Sequence, residues 1–258
     1  MRHFENLRLE KHGPIATVML DRPDRRNAFN AALRRELLEA VETVESDPDF
    51  RLAILGGAGE GFCAGADLTE GLADSITEQI ENEYKPFIMG VALSSRIWIA
   101  AVQGSAAGIG GALAMACDLV VMEESAEIYL AFAAIGLIPD GGAGWQLLQA
   151  LGYHRALETI IGGGRLSAAT CLEAGLANRV VADGSAMDSA MIWAEELSRG
   201  APLAQAAAKK ALRHMGRMRL QDAITLEAKL QQALTESEDF RIGVKAFFSR
   251  QKPEFRGR

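Results

Sequence analysis

Four short runs constrain this chain more than anything else in it. Residues 15–21 (IATVMLD), 51–57 (RLAILGG), 98–104 (WIAAVQG) and 118–122 (DLVVM) are apolar at nearly every position. Runs of four to eight such residues bounded by turn signals read as strands buried in a core. Between the first two, Asn30 stands where an N-cap belongs, ahead of a helix with Leu33, Leu37, Val41 and Val44 on one face. After 98–104, the segment SAAGIGGALAMACD turns into a second helix. From about residue 140 the pattern is helical to the end, apart from a break at 175–181 (GLANRVV). Strands alternating with helices, then a helical tail, predict an α/β or mixed core followed by a C-terminal helical region.

Composition narrows the function classes. The 258 residues carry a net charge of −7, which argues against nonspecific nucleic-acid binding, since that needs clustered cations. No apolar run reaches the roughly 18 residues of a membrane span, and the charged first residues lack a signal-peptide core. A cytoplasmic protein without nucleic-acid or membrane partners is expected. Cys63, Cys117 and Cys171 form no CxxC pair and read as small buried fillers. His3, His12, His154 and His214 show no ligand spacing, so no metal is expected.

The glycine-rich loops do not make a nucleotide site. From Gly108 the chain reads GIGGAL, with Leu113 where the last glycine of a dinucleotide fingerprint belongs. No GK[ST] of a P-loop and no GxSxG nucleophile elbow occurs. Two other features carry chemistry. CAGADL (63–68) and AAGIGGALAMACD (106–118) each place small residues where a loop enters a helix. Two free N–H groups converging from such loops would hold one carbonyl oxygen as an oxyanion; close helix–strand packing explains the same glycines. In AFAAIGLIPDGG (131–142) the one carboxylate is Asp140. It is either the cap of the helix that follows or an active-site acid/base.

These motifs, with RPDRRNAFN (22–30) and the closing FFSRQKPEFRGR, resemble the enoyl-CoA hydratase/isomerase family, the crotonase superfamily, in order from about Leu7 to Arg258. The resemblance implies a crotonase-like α/β fold: a spiral core of ββα turns over residues 1–195, and a C-terminal helical trimerisation region over 196–258. The partners implied are an acyl-CoA thioester and further copies of the chain, as a homotrimer or hexamer. Coenzyme A enters as part of the substrate, and no separate cofactor is expected. By resemblance the oxyanion donors are the backbone N–H groups of Ala66 and Ile109. Arg25, Arg26, Ala28, Ala64, Gly65, Asp67, Leu68 and Gly110 fall in the loops that hold the thioester and coenzyme A. Tyr129, Phe132 and Trp145 are candidates to line the acyl site. Phe248 and Lys252 resemble residues that reach the coenzyme A of a neighbouring subunit.

The family's hydratases carry two glutamates that handle water, and here those positions are Ala112 and Phe132. Asp140 resembles the acid/base of the isomerase subgroup, which includes epoxyphenylacetyl-CoA and Δ3,Δ2-enoyl-CoA isomerases. The resemblance therefore implies an isomerase that moves a double bond, or rearranges a ring epoxide, through an enolate, with Asp140 as its acid/base. The alternatives are a hydratase-like or thioester-hydrolysing enzyme, a decarboxylase on the same oxyanion hole, or a scaffold that only binds acyl-CoA. Glu60, Glu70 and the side chain of Asp67 also read as capping or solvated acids, and Glu123 and Glu124 as exposed.

Overall fold

A computed structural model describes residues 4–71, 73–216 and 218–258, so His3 lies outside the described residues. The chain forms β1 (Leu7–His12), β2 (Ile15–Leu20), α1 (Ala31–Ser46) and β3 (Leu52–Gly57). A continuous helix follows, made of α2 (Ile76–Gln79), a π-helical turn (Ile80–Tyr84) and α3 (Lys85–Leu93). Then come β4 (Ile97–Val102), β5 (Ser105–Ala107), α4 (Ile109–Ala116), β6 (Leu119–Glu123) and β7 (Glu127–Tyr129). The last part holds α5 (Ala143–Ile161), β8 (Arg165–Ser167), α6 (Ala168–Glu173), β9 (Arg179–Val181) and α7 (Ala186–Ser198). It closes with α8 (Pro202–Met215), α9 (Leu220–Thr235) and α10 (Glu238–Ser249).

One sheet has the order β1-β2-β3-β4-β6-β9, and every pair after the antiparallel β1–β2 is parallel. The strands are apolar throughout because both faces are covered. Ile15, Leu52, Ile54, Ile99, Ala101 and Val121 face α7, while Val18, Leu20, Ala53, Leu55, Ala100 and Val102 face the main core. A second sheet pairs β5 with β7 and β7 with β8. Single parallel bridges, Phe29 to Ala66 and Cys63 to Ala106, extend this wall through the glycine loops. Each turn of chain thus adds one segment to each wall in sequence order, as a spiral requires.

The four expected strands and the Asn30 cap are present; Asn30 accepts from the Leu33 N–H at 2.8 Å. The edge strand β1, the helix over residues 76–93 and the three-residue strands β7 and β8 carried too little periodicity to be expected. Residues 195 and 196, between which the boundary is expected, lie within α7, which packs on the sheet. A break after Met215, where Gly216 follows, separates α8 from α9. Glu123 is buried rather than solvated, because its carboxylate takes the Gly184 N–H at 2.8 Å ahead of α7. The three cysteines are free and buried.

Helix α8 is tied to the core by buried charge. Lys209 donates to the carbonyls of Val91 and Arg96 and to Asp118 at 2.7 Å, and Arg213 donates to Asp118 at 3.1 Å. Among the described residues no helix is long and apolar enough to cross a membrane.

Candidate active site

The site grows from the loop after β2. Arg26 and Asn27 adopt left-handed backbone angles, φ 48° and 57°, which Asn tolerates better than most residues. The buried Asn27 side chain repays this locally, accepting from Arg22 N–H at 2.9 Å and donating to the carbonyls of Ala58 and Gly61 at 2.8 and 2.9 Å. The turn leaves Arg25 and Arg26 exposed and buries Ala28 and Phe29. Phe29 then brackets Ala66: its N–H donates to the Gly65 carbonyl at 2.7 Å, and its carbonyl accepts from Asp67 N–H at 3.0 Å. Ladder geometry turns the N–H of Ala66 to the opposite edge, where no partner among the described residues receives it.

The second donor is the start of α4. Gly108, at φ 52°, supplies no side-chain cap, so Ile109 opens the helix with its N–H free of any intrahelical acceptor. The two loops meet at their glycines: a Cβ on Gly65 would stand 3.0 Å from the Ala107 carbonyl oxygen, and one on Gly108 would stand 3.9 Å from the Gly65 Cα. Side chains there would push the two donors apart. Gly110 is spent on packing, since its Cβ would lie 2.7 Å from that of Cys63.

Asp140 closes the site from the loop before α5. The capping alternative is not realised: Gly142 is the N-cap residue, no side chain caps α5, and Asp140 offers only its carbonyl, to Ala143 N–H at 3.0 Å. The carboxylate instead points inward, with Oδ1 buried and without a hydrogen-bond partner. Burial holds this carboxyl above the ordinary carboxylate range, against a smaller lowering by its own backbone N–H. Gly141, the next residue, is closed in by apolar side chains. A Cβ on Gly141 would collide with Ile109 Cδ1 and stand 3.0 Å from the Ala112 Cβ. The Phe132 ring lies against Gly108, its Cζ 3.7 Å from where a Cβ would be. So of the two positions without acids, Ala112 lies beside Gly141 and Phe132 beside the Gly108 that precedes α4.

Other expected site residues fall differently. Asp67 keeps its backbone in the oxyanion loop, but its carboxylate is turned away. Hydrogen bonds from Thr69, then Arg22 at 3.0 Å, hold it below the usual range. Tyr129 supplies its carbonyl to Gly108 N–H at 2.9 Å, while its ring stacks 3.8 Å beneath the Arg165 guanidinium instead of lining an acyl site. Ala64 and Leu68 are exposed beside the loop. Trp145 lines a largely apolar cavity of about 420 Å³ with Ile80, Ile88, Ala92, Leu93 and Gly141. Phe248 and Lys252 are exposed, on α10 and the tail after it. The tail folds back so that Arg256 and Gly257 N–H groups donate to Asp239.

Sequence reasoning passed over Tyr84, buried at 4% exposure in the π-helical turn, and Ile88, which packs on Gly141. A helix of mixed polarity with no cap signal at its middle leaves no periodic trace of either.

The sequence profile of the enoyl-CoA hydratase/isomerase family matches residues 10–258. The chain is 37% identical over 261 residues to a probable enoyl-CoA hydratase of Rhodobacter capsulatus, covering 99% of each. It is 35% identical to the 1,2-epoxyphenylacetyl-CoA isomerase of Escherichia coli, covering 95% of each. Its fold superposes on an enoyl-CoA hydratase subunit I from Geobacillus kaustophilus with a TM-score of 0.93, at 32% identity and 99% coverage of both chains.

Proposed function

Because the chain belongs to the enoyl-CoA hydratase/isomerase family, we propose that its own reaction is a proton shift within a bound acyl-CoA thioester, with Asp140 as acid/base. One observation carries this reading. Among the described residues, Asp140 holds the only buried carboxyl oxygen without a partner, while the positions where the family's hydratases place their two acids are Ala112, beside Gly141, and Phe132, beside Gly108.

Hydration needs one group to activate water and another to deliver a proton. Ala112 and Phe132 can do neither. A 1,3 shift needs a single carboxylate. Asp140 takes a proton from the carbon beside the thioester carbonyl of a 3-enoyl ester, and the electron pair moves into the carbonyl. The resulting dienolate oxygen is held by the N–H groups of Ala66 and Ile109. Asp140 then returns the proton two carbons along, giving the conjugated 2-enoyl ester with no atom gained or lost. A carboxyl that burial makes a weaker acid suits a group that must both accept and donate a proton.

Arg25 and Arg26 offer charge for the coenzyme A phosphates, and Ala64 and Leu68 offer backbone beside the thioester. The acyl chain has room beyond Gly141 in the cavity lined by Ile88, Ala92 and Trp145. A homotrimer or hexamer is inferred from the exposed Phe240, Val244, Phe247 and Phe248 of α10. The test is a direct comparison of 3-enoyl-CoA and 2-enoyl-CoA as substrates. Isomerisation well above hydration is expected, and hydration at a comparable rate overturns the reading.

A further inference from the structure

The isomerase reading gives Asp140 no donor to hold it, and the helix of residues 76–93 supplies one. Ile88 packs on Gly141, its Cδ1 2.9 Å from where a Cβ would stand. Tyr84 lies one turn earlier in the same helix, so it shares that face. Its ring stands edge-on to Phe29 and Phe87, at 6.5 and 6.0 Å. Phe29 is the residue whose backbone brackets Ala66. Tyr84 therefore sits between the oxyanion loop and the acid/base.

The charged groups around it assign its proton. From α1, the buried Arg34 lies 5.5 Å over the Tyr84 ring and is anchored to Glu83, Glu70 and the Phe29 carbonyl. Glu70 in turn accepts the Ala31 N–H at 3.0 Å. A guanidinium has only donors, so Arg34 can serve the phenol oxygen but cannot take its hydrogen. Glu83 and Glu70 are occupied by Arg34. Asp140 acts electrostatically on the phenol, and its Oδ1 lacks a donor. The Asp140 Oδ1 is thus a buried acceptor without a donor, beside a helix face that carries Tyr84 one turn before Ile88. The other neighbours, Phe29, Phe87 and Ile88, are apolar. Single π-helical turns recur where a side chain must be re-aimed at a functional site.

We propose that Tyr84 is a positioning residue for Asp140, its hydroxyl donating to the carboxylate across one water. This rests on the isomerase reading only for its kinetic consequence. The test is Tyr84→Phe, which keeps the ring and removes the donor, with Phe87→Leu as the variant that loosens the same cluster and leaves the hydroxyl. The Asp140 carboxyl is titrated by carbon-13 NMR in the whole protein, and kcat and KM are followed against pH. In Tyr84→Phe the midpoint should rise by about one pH unit, because a lost donor destabilises the charged form. The kcat should fall about tenfold, with KM nearly unchanged. An unmoved midpoint, or an equal rise in Phe87→Leu, overturns the proposal. A midpoint that rises in an enzyme that turns over no enoyl-CoA supports the positioning role and removes the isomerase reading instead.

Discussion

Ile109 Cδ1 occupies the place that a side chain on Gly141 would need. The residue whose N–H opens α4 is thereby packed against the residue that follows Asp140, and φ of 58° at position 141 suits glycine. The donor and the carboxylate are spaced by this contact.

Gly141→Ala should separate them. The added methyl meets Ile109, Ile88 and Ala112 in a left-handed conformation, so about 1–3 kcal/mol of stability should be lost. A shift of the acid by a fraction of an ångström should lower kcat at least about tenfold. Denaturant melts and steady-state kinetics read the two effects separately. A variant with unchanged kcat shows that the contact does not set the geometry.

Asp140→Asn should leave a folded protein whose isomerisation is slower by about 10²- to 10⁴-fold. Nothing is lost at the helix start, since the side chain caps nothing. The wild-type kcat/KM should fall as pH drops through the folded carboxyl's raised value, an acid limb above the ordinary 3.8. Stability follows the same linkage. With the folded value raised, the proton-bound form favours folding fully below the unfolded value, and that favour is lost as pH rises through the folded value. The asparagine variant should therefore match or exceed the wild type at neutral pH, and lose any advantage below about pH 3.8. A large neutral-pH loss of stability would contradict the uncapped placement.

Lys209→Met should be among the costliest single changes outside the site. It leaves Asp118 buried with only Arg213 and the Trp98 N–H, and strips the Val91 and Arg96 carbonyls of a donor. Breaking such a pair costs about 3–5 kcal/mol. The urea midpoint measures it, and a loss under 1 kcal/mol would mean that α8 is held by apolar packing alone.

Ala92→Phe should sort substrates by size. The ring would fill part of the cavity behind Gly141, so the kcat/KM for long or ring-bearing acyl groups should fall about tenfold relative to a four-carbon ester. Equal losses on both would place the acyl group elsewhere.

Assembly is expected to use α10. Phe247 and Phe248 are 79% and 81% exposed, on a helix that also shows Phe240 and Val244. Light scattering of the wild type should give a trimer or hexamer, and Phe247→Asp with Phe248→Asp should release smaller species. A wild-type monomer at micromolar concentration would end this expectation.

The sequence by itself determined what depends on neighbours along the chain. Uniform apolar runs read as the buried strands β2, β3, β4 and β6, and Asn30 read as a cap, because both properties are local. The small residues around Gly65 and Gly108 were legible as close approaches, and through family resemblance as an oxyanion pair. Tertiary structure decided whatever depends on which surfaces meet. Asp140 read as a helix cap from its residues alone and as a base through family resemblance; the turn at Gly141 and Gly142 moved the cap position past it and left its Oδ1 buried without a partner. Tyr129 read as lining an acyl site, yet Arg165 took its ring, while Asp67, which also read as a cap, caps the turn at Thr69 and pairs with Arg22. Glu123 read as solvated until α7 brought two N–H groups to it. Tyr84 carried no signal, because a lone tyrosine in a helix gains its meaning from Arg34, Phe29 and Asp140, which only the spiral brings together.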